Sequence, residues 1–185
     1  VLTNISVIPN AIESKWILTC EEIEEKAAKR KYGALKFVMV GRNEYRKGLI
    51  VLQAAMWELD DPIELHMIGD WPRWDAGIHT VVHHGVIREK NDLMAILDKS
   101  DVLLLPSLSE GMPTVVLEAR ARGLHVIGTD VGAMSAIEDE LITAGDSEQL
   151  SLSISQMSKN VEVGSLPDIH TWEKVAQMTF TSLQG

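Results

Sequence analysis

The chain has 185 residues, of which 45% are hydrophobic and 24% charged, and its formal net charge is −10. This composition is that of one globular domain and excludes a disordered chain. The acidic charge argues against nucleic-acid binding, which needs a basic face to replace the counterions of the phosphates, but it leaves room for a small basic site for one diphosphate. No apolar run is long enough to span a membrane, so no membrane span is predicted.

The cysteine content and the first residues indicate where the protein works. Cys20 is the only cysteine, so no disulfide forms within the chain, as is usual in a reducing compartment. A free cysteine is most often a buried, inert thiol, and we predict this for Cys20. The chain opens on Val1 without a basic and apolar leader. We therefore expect a piece of a longer, cytoplasmic protein.

Short apolar runs alternate with helical patterns along the chain. The spacing of Thr19 and Glu22 predicts a capping box, followed by a charged helix over 21–31 that ends near Gly33. Further helices are predicted at 48–59, 93–97, 113–122, 147–157 and 171–183. Strands are predicted at 37–40, 63–68, 80–82, 102–105 and 125–128.

This alternation implies a three-layer, Rossmann-like α/β domain with a mostly parallel sheet between helices. Ligands of such sheets bind beyond the carboxyl ends of the strands, where the strand order reverses. The loops that follow strands are therefore the most informative segments.

The loop after the first predicted strand is rich in glycine and basic residues. It reads Gly-Arg-Asn-Glu-Tyr-Arg-Lys-Gly from Gly41 to Gly48, and a helix is predicted at its end. Glycine lets the backbone approach a ligand closely, and a helix N-terminus offers free N–H groups to an anion. Arg42 and Lys47 would add charged hydrogen bonds to phosphate oxygens. The spacing matches neither the P-loop nor the dinucleotide fingerprint, so an ordinary basic turn is the alternative.

Two glutamates surround the start of the helix that follows the strongest predicted strand. Glu110 lies on the loop, and Glu118 lies more than a turn inside the helix. A carboxylate on such a helix can grip both hydroxyls of a ribose, as in dinucleotide-binding folds, while the N–H groups of Thr114 and Val115 face an anion. The alternative is two solvated acids, and the residues alone do not separate these interpretations.

Together the two loops resemble the group 1 (family 4) retaining glycosyltransferases, which have the GT-B fold. A spaced pair of glutamates is weak evidence by itself, but several features in the family's order, spread over nearly the whole chain, are strong evidence. These features are Pro9-Asn10 after Val7-Ile8, Gly41-Arg42, Lys47-Gly48, the stretch 101–107 before Glu110, the seven residues between Glu110 and Glu118, and Trp172-Glu173 before the last helix.

The resemblance assigns roles to single residues. Arg42 and Lys47 are expected to bind the diphosphate of a UDP-, GDP- or ADP-sugar and to stabilise the departing nucleoside diphosphate. Glu118 is expected to bind the ribose hydroxyls. Glu110 is expected beside the donor sugar, so Glu110, Arg42 and Lys47 are the expected catalytic residues. The backbone expected to complete the donor site comes from Gly111, Met112, Thr114 and Val115 at the sugar and phosphate, and from Val86, in the loop 85–87, at the base.

The resemblance also implies an activity and a domain organisation. The activity is transfer of a hexosyl-type sugar, with retained anomeric configuration, to a glycan or lipid-linked acceptor in polysaccharide biosynthesis. No metal or other cofactor is expected, and the sequence has no Asp-x-Asp motif. Family members carry an N-terminal acceptor domain that these residues do not include. We therefore expect 1–185 to be the donor domain, to transfer sugar poorly alone, and in the full-length protein to work in the cytoplasm at the inner membrane surface.

One loop departs from the family pattern. Ala136 stands where the family usually has a glutamate, which puts the contacts of that loop to the donor in doubt. A catalytically silent nucleotide-sugar-binding module and a related GT-B nucleotide-sugar epimerase are therefore kept as alternatives. A glycosidase would need Glu110 and Glu118 to flank a sugar bond, and the surrounding pattern favours a transferase.

Several other features are predicted to be structural. Adjacent strand residues face opposite ways, so His83-His84 is not expected to bind a metal. Glu138-Asp139-Glu140 is predicted to be a solvated turn. The tryptophans predicted to be packing residues are Trp57, Trp71, Trp74 and Trp172.

Overall fold

A computed structural model describes residues 8–30, 35–134, 139–159 and 169–184. Gly33, Glu138 and Ala136 lie outside these ranges, so the predicted cap, the first acid of the predicted turn and the departure at Ala136 are not described. The helices are α1 (Cys20–Arg30), α2 (Leu49–Trp57), α3 (Lys90–Asp98), α4 (Thr114–Ala121), α5 (Ser147–Lys159) and α6 (Trp172–Gln184). The strands are β1 (Lys36–Val40), β2 (Glu64–Ile68), β3 (Thr80–Gly85), β4 (Val102–Leu105), β5 (His125–Thr129) and β6 (Glu140–Ile142).

The six strands form one parallel sheet in the order β3-β2-β1-β4-β5-β6. The chain runs outward from β1 through β2 to β3, then returns to the centre and continues from β4 to β6. The strand order therefore reverses between β1 and β4. This is the topological switch point at which a doubly wound sheet leaves a crevice. The predicted α/β fold is confirmed.

Helices cover both faces of the sheet, because the central strand β4 is apolar at every position and β1 is apolar at all positions after Lys36. In β4 the side chains of Val102 and Leu104 pack on one face, with α2 and α5. Those of Leu103 and Leu105 pack on the other face, with α3 and α4. Such continuous apolar runs are typical of parallel strands buried on both sides. The resulting rigid core fixes the positions of the loops at the strand ends.

Local signals set the helix boundaries. The predicted capping box is confirmed: the backbone N–H of Thr19 donates to Glu22 Oε2 at 2.8 Å, and the N–H of Glu22 donates to Thr19 Oγ1 at 3.2 Å. Pro113 is the N-cap of α4, one residue before the helix. Gly123 follows α4 with φ of +71°, a conformation that favours glycine and ends a helix.

The acidic turn was predicted wrongly. Asp139 Oδ1 accepts a hydrogen bond from Arg120 Nη2 at 3.0 Å, and Oδ2 accepts one from the backbone N–H of Val126 at 2.9 Å. Both charged side chains are less than a tenth exposed. Glu140 begins β6, a strand that the sequence pattern did not indicate because it has only three residues.

Two further side-chain predictions were wrong. Cys20 is exposed, because it begins a charged helix whose N-terminus faces solvent. Trp57 and Trp172 are 64% and 51% exposed, so they are not core residues. Trp71 is buried and Trp74 packs against the core, as predicted.

Candidate functional site

The loops after β1 and β4 meet at the switch point and line a cleft of about 410 Å³. Loops after β2 and β3 complete its walls. Of the predicted site residues, the cleft is lined by Arg42, Lys47, Val86, Glu110, Thr114, Val115 and Glu118. Gly111 is exposed on the same loop as Glu110, and the carbonyl of the next residue, Met112, accepts a hydrogen bond from Asn10.

The basic loop keeps its shape because of Gly48. Tyr45–Lys47 form one turn of 3-10 helix, and Gly48 ends it with φ of +73° before starting α2. A Cβ at Gly48 would overlap the carbonyl oxygen of Pro106, the residue that follows β4. In addition, the N–H of Leu108 donates to the Arg46 carbonyl at 2.7 Å. The absence of a side chain at Gly48 therefore lets the β1 loop lie directly against the β4 loop.

A second close approach joins the loops after β1 and β2. Gly69 has φ of +134°, and a Cβ there would overlap the carbonyl oxygen of Gly41. Asp70 Oδ1 accepts a hydrogen bond from the Asn43 N–H at 2.8 Å. The buried indole of Trp71 lies beneath Gly41 and donates to the Ile68 carbonyl at 3.0 Å. These contacts hold the start of the basic loop in place.

Glu110 is the acceptor at the centre of the cleft. Its Oε1 accepts hydrogen bonds from Lys47 Nζ at 2.5 Å and from Ser107 Oγ at 2.8 Å. Its Oε2 lies 3.5 Å from Arg46 Nη1. The side chains of Glu110 and Lys47 are only 6% and 12% exposed. Glu110 is therefore not a solvated loop acid: its carboxylate orients the Lys47 ammonium toward the cleft.

Glu44 plays a similar part at the rim of the cleft. Its carboxylate lies 3.0 Å from Arg42 Nη2 and 2.7 Å from Arg46 Nε. The Arg42 side chain is 79% exposed, so a ligand in the cleft has access to its guanidinium. The lining residues contribute three cations and three carboxylates; these are Arg42, Arg46 and Lys47, and Asp70, Glu110 and Glu118. The cations are thus held by nearby carboxylates within an acidic protein.

Glu118 lies on the cleft side of α4 and is partly buried. Burial raises the pKa of its carboxyl above the ordinary value, and the positive charge of Lys90 offsets part of this effect. This position does not fit the alternative of a solvated acid on a helix surface. A partly desolvated carboxylate on a cleft wall forms strong hydrogen bonds to ligand hydroxyls.

The wall formed by the loop after β3 is apolar. Gly85 ends β3 with φ of +69°, and Val86 and Ile87 follow it along the cleft. Val86 is 65% exposed, so a flat ring system has access to it.

Three contributors to the site were missed. Arg46 was noted among the cations but given no role, although it contacts Glu110. Asp70 and Ser107 each lie two residues after the end of a strand, and this position was the signal that could have identified them.

The loop that contains the departure from the family pattern is described only up to residue 134. Within that part, the Ala133 N–H donates to the Gly111 carbonyl at 2.9 Å. Gly132 has φ of +63°, and a Cβ there would overlap the carbonyl oxygen of Glu110. This loop therefore supports the β4 loop from the side opposite the basic loop.

The histidines are not arranged as metal ligands. His66 Nδ1 lies 2.8 Å from His84 Nε2, and His66 Nε2 lies 2.8 Å from Glu64. Among the described residues, no group of three or more His, Cys, Asp or Glu side chains is placed to hold a metal ion. None of the helices within the same ranges has the length and hydropathy of a bilayer-spanning segment.

The fold and the cleft define an α/β domain of the doubly wound class with an open cleft at its switch point. The family model described as Glycosyl transferases group 1 matches residues 34–160. The chain belongs to the group 1 glycosyltransferases, as the sequence motifs predicted.

Two relatives of this chain are also described as glycosyltransferases. The chain is 36% identical over 137 residues to a putative teichuronic acid biosynthesis glycosyltransferase of Bacillus subtilis, covering 71% of this chain and 35% of that protein. It is 34% identical over 108 residues to a putative colanic acid biosynthesis glycosyl transferase of Escherichia coli, covering 58% of this chain and 26% of that one. The chain thus spans about a third or less of the length of these relatives.

Solved structures share the fold. Sucrose-phosphate synthase from Thermosynechococcus elongatus superposes with a TM-score of 0.73 at 21% identity, over 97% of this chain and 52% of that chain. HepE of Anabaena, solved in complex with UDP, superposes with a TM-score of 0.73 at 15% identity, over 97% of this chain and 57% of that chain.

Proposed function

We propose that this chain is the donor-binding part of a retaining glycosyltransferase that uses a nucleoside diphosphate sugar. The observation that carries the proposal is the cleft at the switch point, where Arg42 and Lys47 lie on one wall and Glu118 on another. A diphosphate requires cations, and a ribose requires an acceptor for its two hydroxyls. The cleft offers both, and the related fold of HepE was solved with UDP.

In this proposal the donor lies across the ends of the central strands. Lys47 and Arg42 bind the diphosphate, together with the N–H groups at the start of α4, where the helix dipole favours negative charge. Glu118 accepts hydrogen bonds from the ribose hydroxyls. The base lies on the apolar wall at Val86, and the sugar extends past Glu110.

The cations then act in the transfer step. The bond between the sugar C1 and the diphosphate oxygen breaks, and the acceptor hydroxyl oxygen bonds to C1 on the same face while its proton passes to the departing diphosphate oxygen. Negative charge grows on the departing nucleoside diphosphate, and cations already fixed in position stabilise this charge without reorganising. Glu110 supports the step by holding the Lys47 ammonium, which has three donors and can bind an oxygen of the diphosphate at the same time.

The acceptor and the sugar are further parts of the proposal. The relatives are described as acting in teichuronic acid and colanic acid biosynthesis, so a hexosyl-type sugar and a glycan or lipid-linked acceptor are proposed. Because the chain spans only about a third of these relatives, we propose that an acceptor domain completes the active site. The chain alone is then expected to bind donor and to transfer sugar poorly.

Calorimetric titration with UDP, GDP and ADP tests the donor site. One of them is expected to bind, and Arg42→Ala and Glu118→Ala should each weaken it about 10- to 150-fold, the loss of one charged hydrogen bond of roughly 1.5–3 kcal/mol. Lys99→Ala and Asp61→Ala are matched controls, since both side chains are exposed beside the opposite, amino-terminal ends of strands. Equal effects of site and control variants would contradict the proposal.

A further inference from the structure

Asn10 connects the N-terminal segment to the β4 loop. Its side-chain Nδ2 donates to the Met112 carbonyl at 2.7 Å, and its backbone N–H points to the Met112 sulfur at 3.1 Å. More than 100 residues separate the two partners along the chain. This contact was not anticipated from the sequence, where Pro9-Asn10 was only one of several family features.

The contact between Asn10 and Met112 lies directly before the start of α4. Met112 precedes Pro113, the N-cap of α4, which makes no side-chain capping hydrogen bond. Proline fixes its own φ and has no N–H, so the orientation of the Met112-Pro113 peptide determines where the helix axis points. Thr114 and Val115, the next two residues, line the cleft, and the first turn of a helix leaves its N–H groups without acceptors inside the helix.

The segment that carries Asn10 is itself firmly held. Ala11 and Ile12 are 1% and 3% exposed and belong to the core. The Ile12 N–H donates to the His170 carbonyl at 3.1 Å, and Ile12 forms a parallel bridge with Thr171. Because this segment is held by the core, the Asn10 side chain can fix the position of the loop that it contacts.

The β4 loop is therefore clamped from two sides. Asn10 holds the Met112 carbonyl, and the Ala133 N–H holds the Gly111 carbonyl at 2.9 Å from the loop after β5. Of the two, the Asn10 contact is made by a side chain and is the one that a substitution can remove without altering the backbone.

We infer that Asn10 is a positioning residue for the part of the donor beyond the first phosphate. By fixing the Met112 carbonyl, it aims the first N–H groups of α4 at the β-phosphate and the sugar. This inference rests on the proposed function, because it assumes that a nucleoside diphosphate lies at the start of α4. Asn10 itself touches neither the donor nor the reacting atoms.

The inference predicts a loss of selectivity rather than a general loss of binding. With Asn10→Ala, the affinity for UDP should fall about 3- to 10-fold, the range expected for one net hydrogen bond. The affinity for UMP, which lacks the β-phosphate, should stay the same, so the ratio of the two dissociation constants should shrink. Asn10→Asp should act in the same direction, because a carboxylate cannot donate to the Met112 carbonyl.

Calorimetry with UDP and UMP on the 185-residue chain is the test, or with the GDP and GMP or ADP and AMP pair if that base binds more tightly. Lys15→Ala is the matched control: Lys15 lies in the same segment and pairs with Glu13 at 3.1 Å, so both affinities should be unchanged. Thermal unfolding of each variant shows whether it is folded. If Asn10→Ala does not fold, the nearly isosteric Asn10→Asp gives the answer.

Three results would overturn the inference in distinguishable ways. If Asn10→Ala weakens UDP and UMP by the same factor, Asn10 has a merely structural role. If neither affinity changes, the contact does not position the donor loop. In both cases the proposed function stands as long as Glu118→Ala weakens UDP. If the unsubstituted chain binds none of these nucleotides, the proposed function fails and this role fails with it.

Discussion

The substitution Gly48→Ala tests whether the basic loop depends on a close approach of two backbones. Gly48 has φ of +73°, and a Cβ there would overlap the Pro106 carbonyl oxygen. Placing alanine in a left-handed conformation costs about 1–2 kcal/mol, and the lower entropy of the unfolded chain returns about 0.4–1 kcal/mol. The overlap forces a backbone shift that costs about 1–3 kcal/mol more. The expected loss of stability is therefore about 2–4 kcal/mol.

Gly85→Ala is the matched control for this effect. Gly85 has φ of +69°, almost the same as Gly48, but a Cβ there meets no atom within 4 Å. Only the cost of the left-handed conformation, less the entropy gained from the unfolded chain, applies to this variant. The expected loss of stability is therefore about 1 kcal/mol. The difference between the two variants therefore isolates the contact with Pro106.

Thermal unfolding followed by circular dichroism measures the difference. For a domain of this size each kcal/mol lowers Tm by about 2–4 °C, so Gly48→Ala should lower Tm by about 5–15 °C and Gly85→Ala by about 2–4 °C. Because Gly48 follows Lys47 directly, the shift should also disturb the Lys47–Glu110 pair and weaken UDP binding well below Tm. Equal losses of Tm in the two variants would show that the contact between Gly48 and the Pro106 carbonyl adds nothing to stability.

Three other predictions concern single side chains. Burial raises the pKa of the Glu118 carboxyl. This carboxyl therefore stabilises the folded state most at a pH below the ordinary carboxyl pKa, and the contribution is lost as the pH rises through the raised pKa. Glu118→Gln should therefore increase the urea-derived free energy of unfolding at pH 7 but not near pH 4, and an equal effect at both would contradict this. Asp139→Asn removes the carboxylate opposite the buried Arg120 guanidinium and should cost about 3–5 kcal/mol in the same assay, whereas a loss below 1 kcal/mol would show that the pair is unimportant. Cys20 is exposed and should react with a thiol reagent in the folded protein as fast as in urea; labelling only after unfolding would show that it is buried.

Much of the fold was predictable because its signals are local. A strand such as β4 is apolar at each position, and the capping box before α1 is complete in four residues. The strand β6 was missed because its three residues are too few to show a periodic pattern of apolar side chains. Asp139 was misjudged for another reason: its partner Arg120 is distant in sequence, so nothing local showed that this acid is buried.

The candidate site was predictable in its residues but not in its geometry. The motifs identified Arg42, Lys47, Glu110 and Glu118, and all four line one cleft. The sequence did not show that Glu110 holds Lys47, because this contact depends on the packing of one loop against another. Asn10 was placed in a family motif without a role for the same reason. The roles of these residues toward a donor stay predictions.

A crystal structure of the chain with the nucleoside diphosphate that binds best would show directly where the donor lies. The diphosphate should lie against Arg42, Lys47 and the start of α4, with the ribose hydroxyls within hydrogen-bond distance of Glu118. A nucleotide bound elsewhere, or one in this cleft whose ribose lies away from Glu118 and whose phosphates avoid both cations, would contradict it.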